Sequence, residues 1–152
     1  MKLVFAACLA ALLVASSAGA HDMTVHAGTD DQPYTPKIDD IMAAQQMRHI
    51  KLWFAGRAGD WPLADYEIDK LKDAFDEVNK QLGGDTVEKA IGPGISALEK
   101  AVEAKDRGAF TNAFDQLTAG CNNCHQTLDH AYIAIQRPVL LPYSDQSFAT
   151  PK

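Results

Sequence analysis

The chain is poor in cysteine and tryptophan, with three Cys and two Trp among 152 residues. No stretch, the short N-terminal run included, is long and apolar enough to span a bilayer, so a mature chain with a membrane helix is not expected. Period-two alternation of apolar and polar residues is missing from residue 37 onward, which argues against a sheet protein. Positive charge is scarce as well: 14 Lys and Arg stand against 20 Asp and Glu, a net charge of −6. That balance disfavours nucleic acid and anionic lipid as partners and leaves room for a basic protein partner.

What is present begins with an address. Lys2 precedes an apolar run over residues 3–15, and small residues follow, ending Ala18-Gly19-Ala20. A positive start, a short apolar core and an A-x-A exit are expected of a secretory signal over residues 1–20. Cys8 lies inside it, so the mature chain from His21 would keep only Cys121 and Cys124. In an oxidising compartment a spare thiol is a liability, and none would remain.

Those two thiols belong to Cys121-Asn122-Asn123-Cys124-His125. Cys-x-x-Cys-His is the attachment pattern of a c-type haem: two thiols add to the porphyrin vinyl groups, and the adjoining imidazole takes the proximal position on the iron. A thioredoxin-like dithiol would follow a strand, and no strand pattern precedes Cys121. A structural zinc site would want further thiols, which maturation would not leave. The expected cofactor is one covalently bound haem c, with Cys121 and Cys124 as thioether sites and His125 as iron ligand. Such haem is attached outside the bacterial inner membrane, so the expected location is the periplasm.

Four helical segments are expected. The first covers residues 38–57, with Asp39 and Asp40 favouring its N-terminal dipole end. The second is capped by Asp60, carries Pro62 in its first turn, and shows the stripe Ala64, Ile68, Leu71, Phe75, Val78 and Leu82 before Gly83-Gly84. A third, shorter helix is expected after Gly92-Pro93-Gly94, with Ile95, Leu98 and Val102 on its face. Asp106 would cap the fourth, whose stripe is Phe110, Phe114, Leu117, Cys121, Cys124, Leu128, Ala131 and Ile135. That helix should end at Arg137, because Pro138 cannot continue it. The expectation is an all-α antiparallel four-helix bundle over residues 37–137, preceded by a loose leader at 21–36 and followed by an irregular tail at 138–152.

A haem motif on the last of four helices resembles the cytochrome c′ family of exported bundle cytochromes, over roughly residues 38–137. The resemblance implies that the porphyrin faces the bundle interior, with Cys121, Cys124 and His125 in the roles already named. It departs from the family pattern in having no basic residue over 126–129 and in continuing well beyond the last helix. The resemblance also implies two functions for such a protein: single-electron transfer between redox proteins, or binding of nitric oxide or carbon monoxide at a vacant sixth position.

The choice between them falls on the first helix. On a helical wheel Ile38, Ile41, Met42, Gln45, His49, Leu52, Trp53 and Gly56 share one broad uncharged arc, while Ala43, Met47, Ile50 and Phe54 share a narrower one. Met42 is the first candidate for sixth ligand and His49 the alternative; Met47, or an empty site faced by Leu52, is the remaining option. Arg48 can pair with a haem propionate or stand as a solvated helix arginine. Enzyme chemistry on peroxide or nitrogen oxides would need acid and base over the iron, and His49 and Arg48 point about 100° apart, so an enzyme is not expected. His130 should face solvent, and Trp53, Trp61 and Tyr66 should pack in the core or at helix junctions. The narrow arc could make a homodimer contact or bury against helix 2. His21 with its α-amine is a weak copper site, with only His26 nearby.

Overall fold

The computed structural model describes residues 34–149. The expected signal, residues 21–33 of the leader with His21 and His26, and residues 150–152 lie outside the described residues. Among those described, the chain forms four α-helices and no strand: α1 (Ile38–Ala58), α2 (Trp61–Leu82), α3 (Thr86–Glu103) and α4 (Arg107–Thr127). None of them is long and apolar enough to cross a membrane.

The helix boundaries follow local chemistry. Asp60 accepts a hydrogen bond from the Leu63 N–H at 3.3 Å, and Pro62 sits where no intrahelical donor is needed. Gly83 closes α2 in the left-handed region at φ 70°, a conformation that glycine adopts without a Cβ penalty. Asp106 caps α4 through Gly108 N and Ala109 N at 2.8 and 3.0 Å. The broad arc of α1 faces the core, where Ile41, Gln45, His49, Leu52, Trp53 and Gly56 are buried. On α2, Ala64, Ile68, Leu71, Phe75 and Val78 are buried as the spacing requires, whereas Leu82 is 39 % exposed.

Two expected boundaries are corrected. Helix α3 begins at Thr86, so Gly92, Pro93 and Gly94 lie inside it rather than before it. Its true stripe is Val87, Ile91, Ile95, Leu98 and Val102, all buried. The N-terminus is capped from α2, because Val87 N–H donates to Asn79 Oδ1 at 3.1 Å. Pro93 is on the exposed side, as is Lys89, whose carbonyl loses its helical donor to the proline. Helix α4 stops at Thr127, a full ten residues before Arg137. Asp129 takes a left-handed φ of 61°, and His130 N–H bonds back to His125 O at 2.7 Å. The chain then returns along the end of α4, leaving Ala131 exposed.

The tail after Arg137 is irregular, as expected, but packed. Arg137 grips the Asp115 carboxylate with two nitrogens and lies over the Trp53 ring. Phe148 is buried against Phe54, and Lys51 sits over Tyr143. The chain's own tail therefore covers part of the narrow arc of α1; Met47 on the same arc is 42 % exposed.

The most extensive helix contact joins α3 to α4, and it depends on two glycines. A Cβ on Gly94 would lie 2.6 Å from the Leu117 backbone, and one on Gly120 would lie 2.5 Å from the Ala90 carbonyl oxygen. Gly94→Ala is therefore expected to cost on the order of 1–3 kcal/mol in chemical denaturation, since backbone cannot move aside as a flexible side chain can. Gly84→Ala is the control: its added Cβ meets nothing within 4 Å, and stability should stay within about 0.5 kcal/mol.

Candidate cofactor cavity

Helices α1 and α4 touch far less than α3 and α4 do, and a cavity of about 670 Å³ is lined from both. That volume falls in the range of cofactor sites, roughly 300–1,000 Å³. Ile38, Met42 and His49 line it from α1; Leu71, Phe75 and Val78 from α2; Val87 and Ile91 from α3. The opposite wall carries Leu117, Cys121, Cys124 and His125 of α4, and the returning chain adds His130, Ile133 and Ile135. The motif's three chemical groups therefore share one largely apolar space. Among the described residues, no Lys or Arg lines it.

Cys121 and Cys124 are free thiols spaced three residues apart on one helical face. Burial pushes the Cys121 thiol up to about 12 and raises that of Cys124 as well. A dithiol built for disulfide exchange needs the opposite, a depressed thiol beside positive charge. Nor do three or more His, Cys, Asp or Glu converge as a metal-holding group among the described residues.

His125 lies in the last turn of α4, not three turns from its end, because the helix stops early. Its Nδ1 is 2.7 Å from the carbonyl oxygen of Ile133. A carbonyl can only accept, so Nδ1 carries the proton and donates it. In the neutral tautomer this leaves Nε2 its lone pair, the form in which an imidazole binds a metal. The donor set fits a covalently held haem: two thiols one turn apart, an imidazole with a fixed tautomer, and a large apolar cavity before them.

On the α1 side the structure separates the candidate ligands. Met47 is exposed and Leu52 is fully buried, and neither lines the cavity. Met42 and His49 both do. His49 is buried, stacked on Phe114 with ring centroids 4.4 Å apart, and bonded through Nε2 to Thr118 Oγ1 at 2.8 Å. The Thr118 hydroxyl spends its one proton on Phe114 O at 2.9 Å, so His49 Nε2–H must be the donor to Thr118. Nearby Gln45 donates to Ile41 O at 3.2 Å and keeps its buried Oε1 unpartnered.

Other expectations are corrected here. Arg48 is engaged by Glu67 Oε2 at 2.9 Å and does not reach the cavity. Glu67 is buried on the stripe of α2, three residues from Ala64 and four from Leu71, a spacing that could have flagged it. Tyr66 is 50 % exposed beneath Arg48, whereas Trp53 is buried and Trp61 packs edge-on against Phe110. His130 is exposed as expected, yet it is among the residues that line the cavity. Thr118 and Asn122 were not singled out by sequence reasoning. Thr118 could have been, since it falls between Phe114 and Cys121 on the same stripe.

His49 also makes the site's stability depend on pH. Burial lowers its pKa from 6.5 to about 4. Between those values the unfolded chain binds a proton that the folded chain refuses, so stability falls as pH falls from 6.5 towards 4. The loss should reach about 3 kcal/mol at the foot of that window. In a denaturation series across it, His49→Gln is expected to flatten the slope. Comparison of the chain with protein-family models, with curated proteins and with solved structures returns no match.

Proposed function

We propose that this protein is an exported, periplasmic monohaem c-type cytochrome that carries single electrons between redox proteins, on an antiparallel four-helix bundle. The observation that carries the proposal is the convergence of Cys121, Cys124 and His125 on one apolar cavity, with His125 Nδ1 committed to the Ile133 carbonyl. Cys121 and Cys124 would hold the group by thioethers, and His125 Nε2 would be the proximal ligand. When bound, haem c supplies one-electron chemistry at iron. The chain's part is to fix the imidazole, to keep water out with Leu71, Phe75, Val78 and Ile91, and to offer the distal side a sulfur or nothing. Early α1 residues such as Met42 line the same cavity as the late α4 motif, which supports an antiparallel pairing of those helices.

Met42 is the favoured sixth ligand. Among the described residues it is, apart from the two motif thiols, the one sulfur-bearing residue that lines the cavity, and the competing His49 has its Nε2 bound to Thr118. A second reading, binding of nitric oxide or carbon monoxide at a vacant sixth position, is favoured by the apolar wall from α2 and α3.

Expression of the full chain with c-type haem maturation tests both readings. The pyridine haemochrome spectrum is expected to report two thioethers in the native protein and one in Cys121→Ala or Cys124→Ala. No covalent haem in the native protein would overturn the cytochrome reading altogether. A low-spin spectrum with a methionine-to-iron band that disappears in Met42→Ala supports the electron carrier; a high-spin ferrous form that takes up carbon monoxide rapidly supports gas binding.

A further inference from the structure

The motif's first spacer residue is not idle. Asn122 Nδ2 donates to the carbonyl of Ile135 at 2.9 Å, and Ile135 N–H donates to Asn122 Oδ1 at 2.7 Å. One side-chain amide thus holds both backbone groups of one residue, much as a neighbouring strand would. A carboxamide carries a donor and an acceptor side by side, as this pair of bonds needs. Asn123, the second spacer, is exposed, and its side chain takes no part in such a bond.

The clasp and the His125 contact lie in register. Residues 122 and 125 are three apart on α4 and present one side of the helix. On the returning chain their partners, Ile135 and Ile133, are separated by a single residue, and Ile133 sits at a bend where its N–H donates to His130 O at 2.9 Å. Fixing Ile135 therefore fixes where the Ile133 carbonyl stands relative to His125 Nδ1. Apolar packing does little of this, since Ile133 is 44 % exposed. Beyond the clasp, Arg137 on Asp115 is the next anchor along the chain.

We infer that Asn122 is a positioning residue, which orients His125 by clasping Ile135 and so holding the Ile133 carbonyl against the imidazole Nδ1–H. The inference rests on the haem reading for its redox consequence, though not for the clasp itself. An imidazole whose Nδ1–H is bonded to a carbonyl is a stronger electron donor to a metal and favours the oxidised iron. Loosening that bond raises the reduction potential.

The experiment compares Asn122→Ala with Asn123→Ala in the full chain, by amide hydrogen exchange at Ile135 and by redox titration of the haem-loaded protein. In Asn122→Ala, exchange at Ile135 should quicken about tenfold or more. The ferrous form should gain by about tenfold, equal to about 59 mV for one electron. Asn123→Ala should match the native protein in both. Asn122→Gln retains the amide on a longer arm and should lie nearer the native values. Native-like exchange and potential in Asn122→Ala would overturn the inference. Should that variant fail to fold, Asn122→Gln decides: protection of Ile135 supports the clasp, and its loss overturns it. Should the native protein carry no haem, the haem reading fails and the exchange measurement still decides whether the clasp exists.

Discussion

The close approach of α3 to α4 sets the geometry of everything that follows. Gly94 and Gly120 let the two backbones meet where a single added carbon would collide with main-chain atoms. Gly120 immediately precedes Cys121, so its contact with Ala90 determines how α4 is rotated about its axis. One residue further turns the helix by about 100°, which carries Cys121 off the α3 interface and onto the cavity wall. With α4 drawn to α3, its separation from α1 stays large enough for a cavity, and Leu117, Cys121, Cys124 and His125 all face it.

The cavity is then finished by polar ties that cross between elements. His49 to Thr118 to Phe114 O links α1 to α4, and burial there keeps the imidazole neutral. On the far end, His125 and Asn122 capture the returning chain, and Arg137 secures it to Asp115. This return segment, not a longer helix, supplies Ile133 and Ile135 to the rim. An imidazole at a helix end, bonded to a carbonyl from beyond that end, has both its tautomer and its direction set before any metal arrives. That preorganisation is what the proposed cytochrome reading asks of the site.

Much of the fold was legible because helical spacing is a local property. The stripes of α2 and α4 up to Cys124, the Asp60 and Asp106 caps and the Gly83 stop all rest on contacts within one or two turns. The boundaries that were misjudged turn on longer contacts. Gly92-Pro93-Gly94 has the composition of a break, yet it stays helical because its glycine lets α3 lie against Leu117 and its proline faces water. Helix α4 ends before Pro138 because Asn122 and His125 offer the chain a competing set of hydrogen bonds. The pairing of Arg48 with Glu67 was readable only in part: the acid's place on an apolar stripe was visible, its partner on another helix was not.

The sequence by itself determined the chemistry on offer: two thiols and an imidazole at one spacing, four amphipathic segments, and an uncharged arc on α1. These follow from residue identity and from the fixed turn of a helix. Tertiary structure alone decided which of those groups meet. It bound His49 to Thr118, 69 residues away, left Met42 on the cavity wall, and brought Ile133 and Ile135 back to the motif. The reason is physical. A helical period states which side chains share a face, but hydrogen-bond partners and cavity walls depend on how separate segments close on one another. Cys121–His125 is accordingly a motif in the chain and a site only in the fold, where Asn122 ties its two halves together.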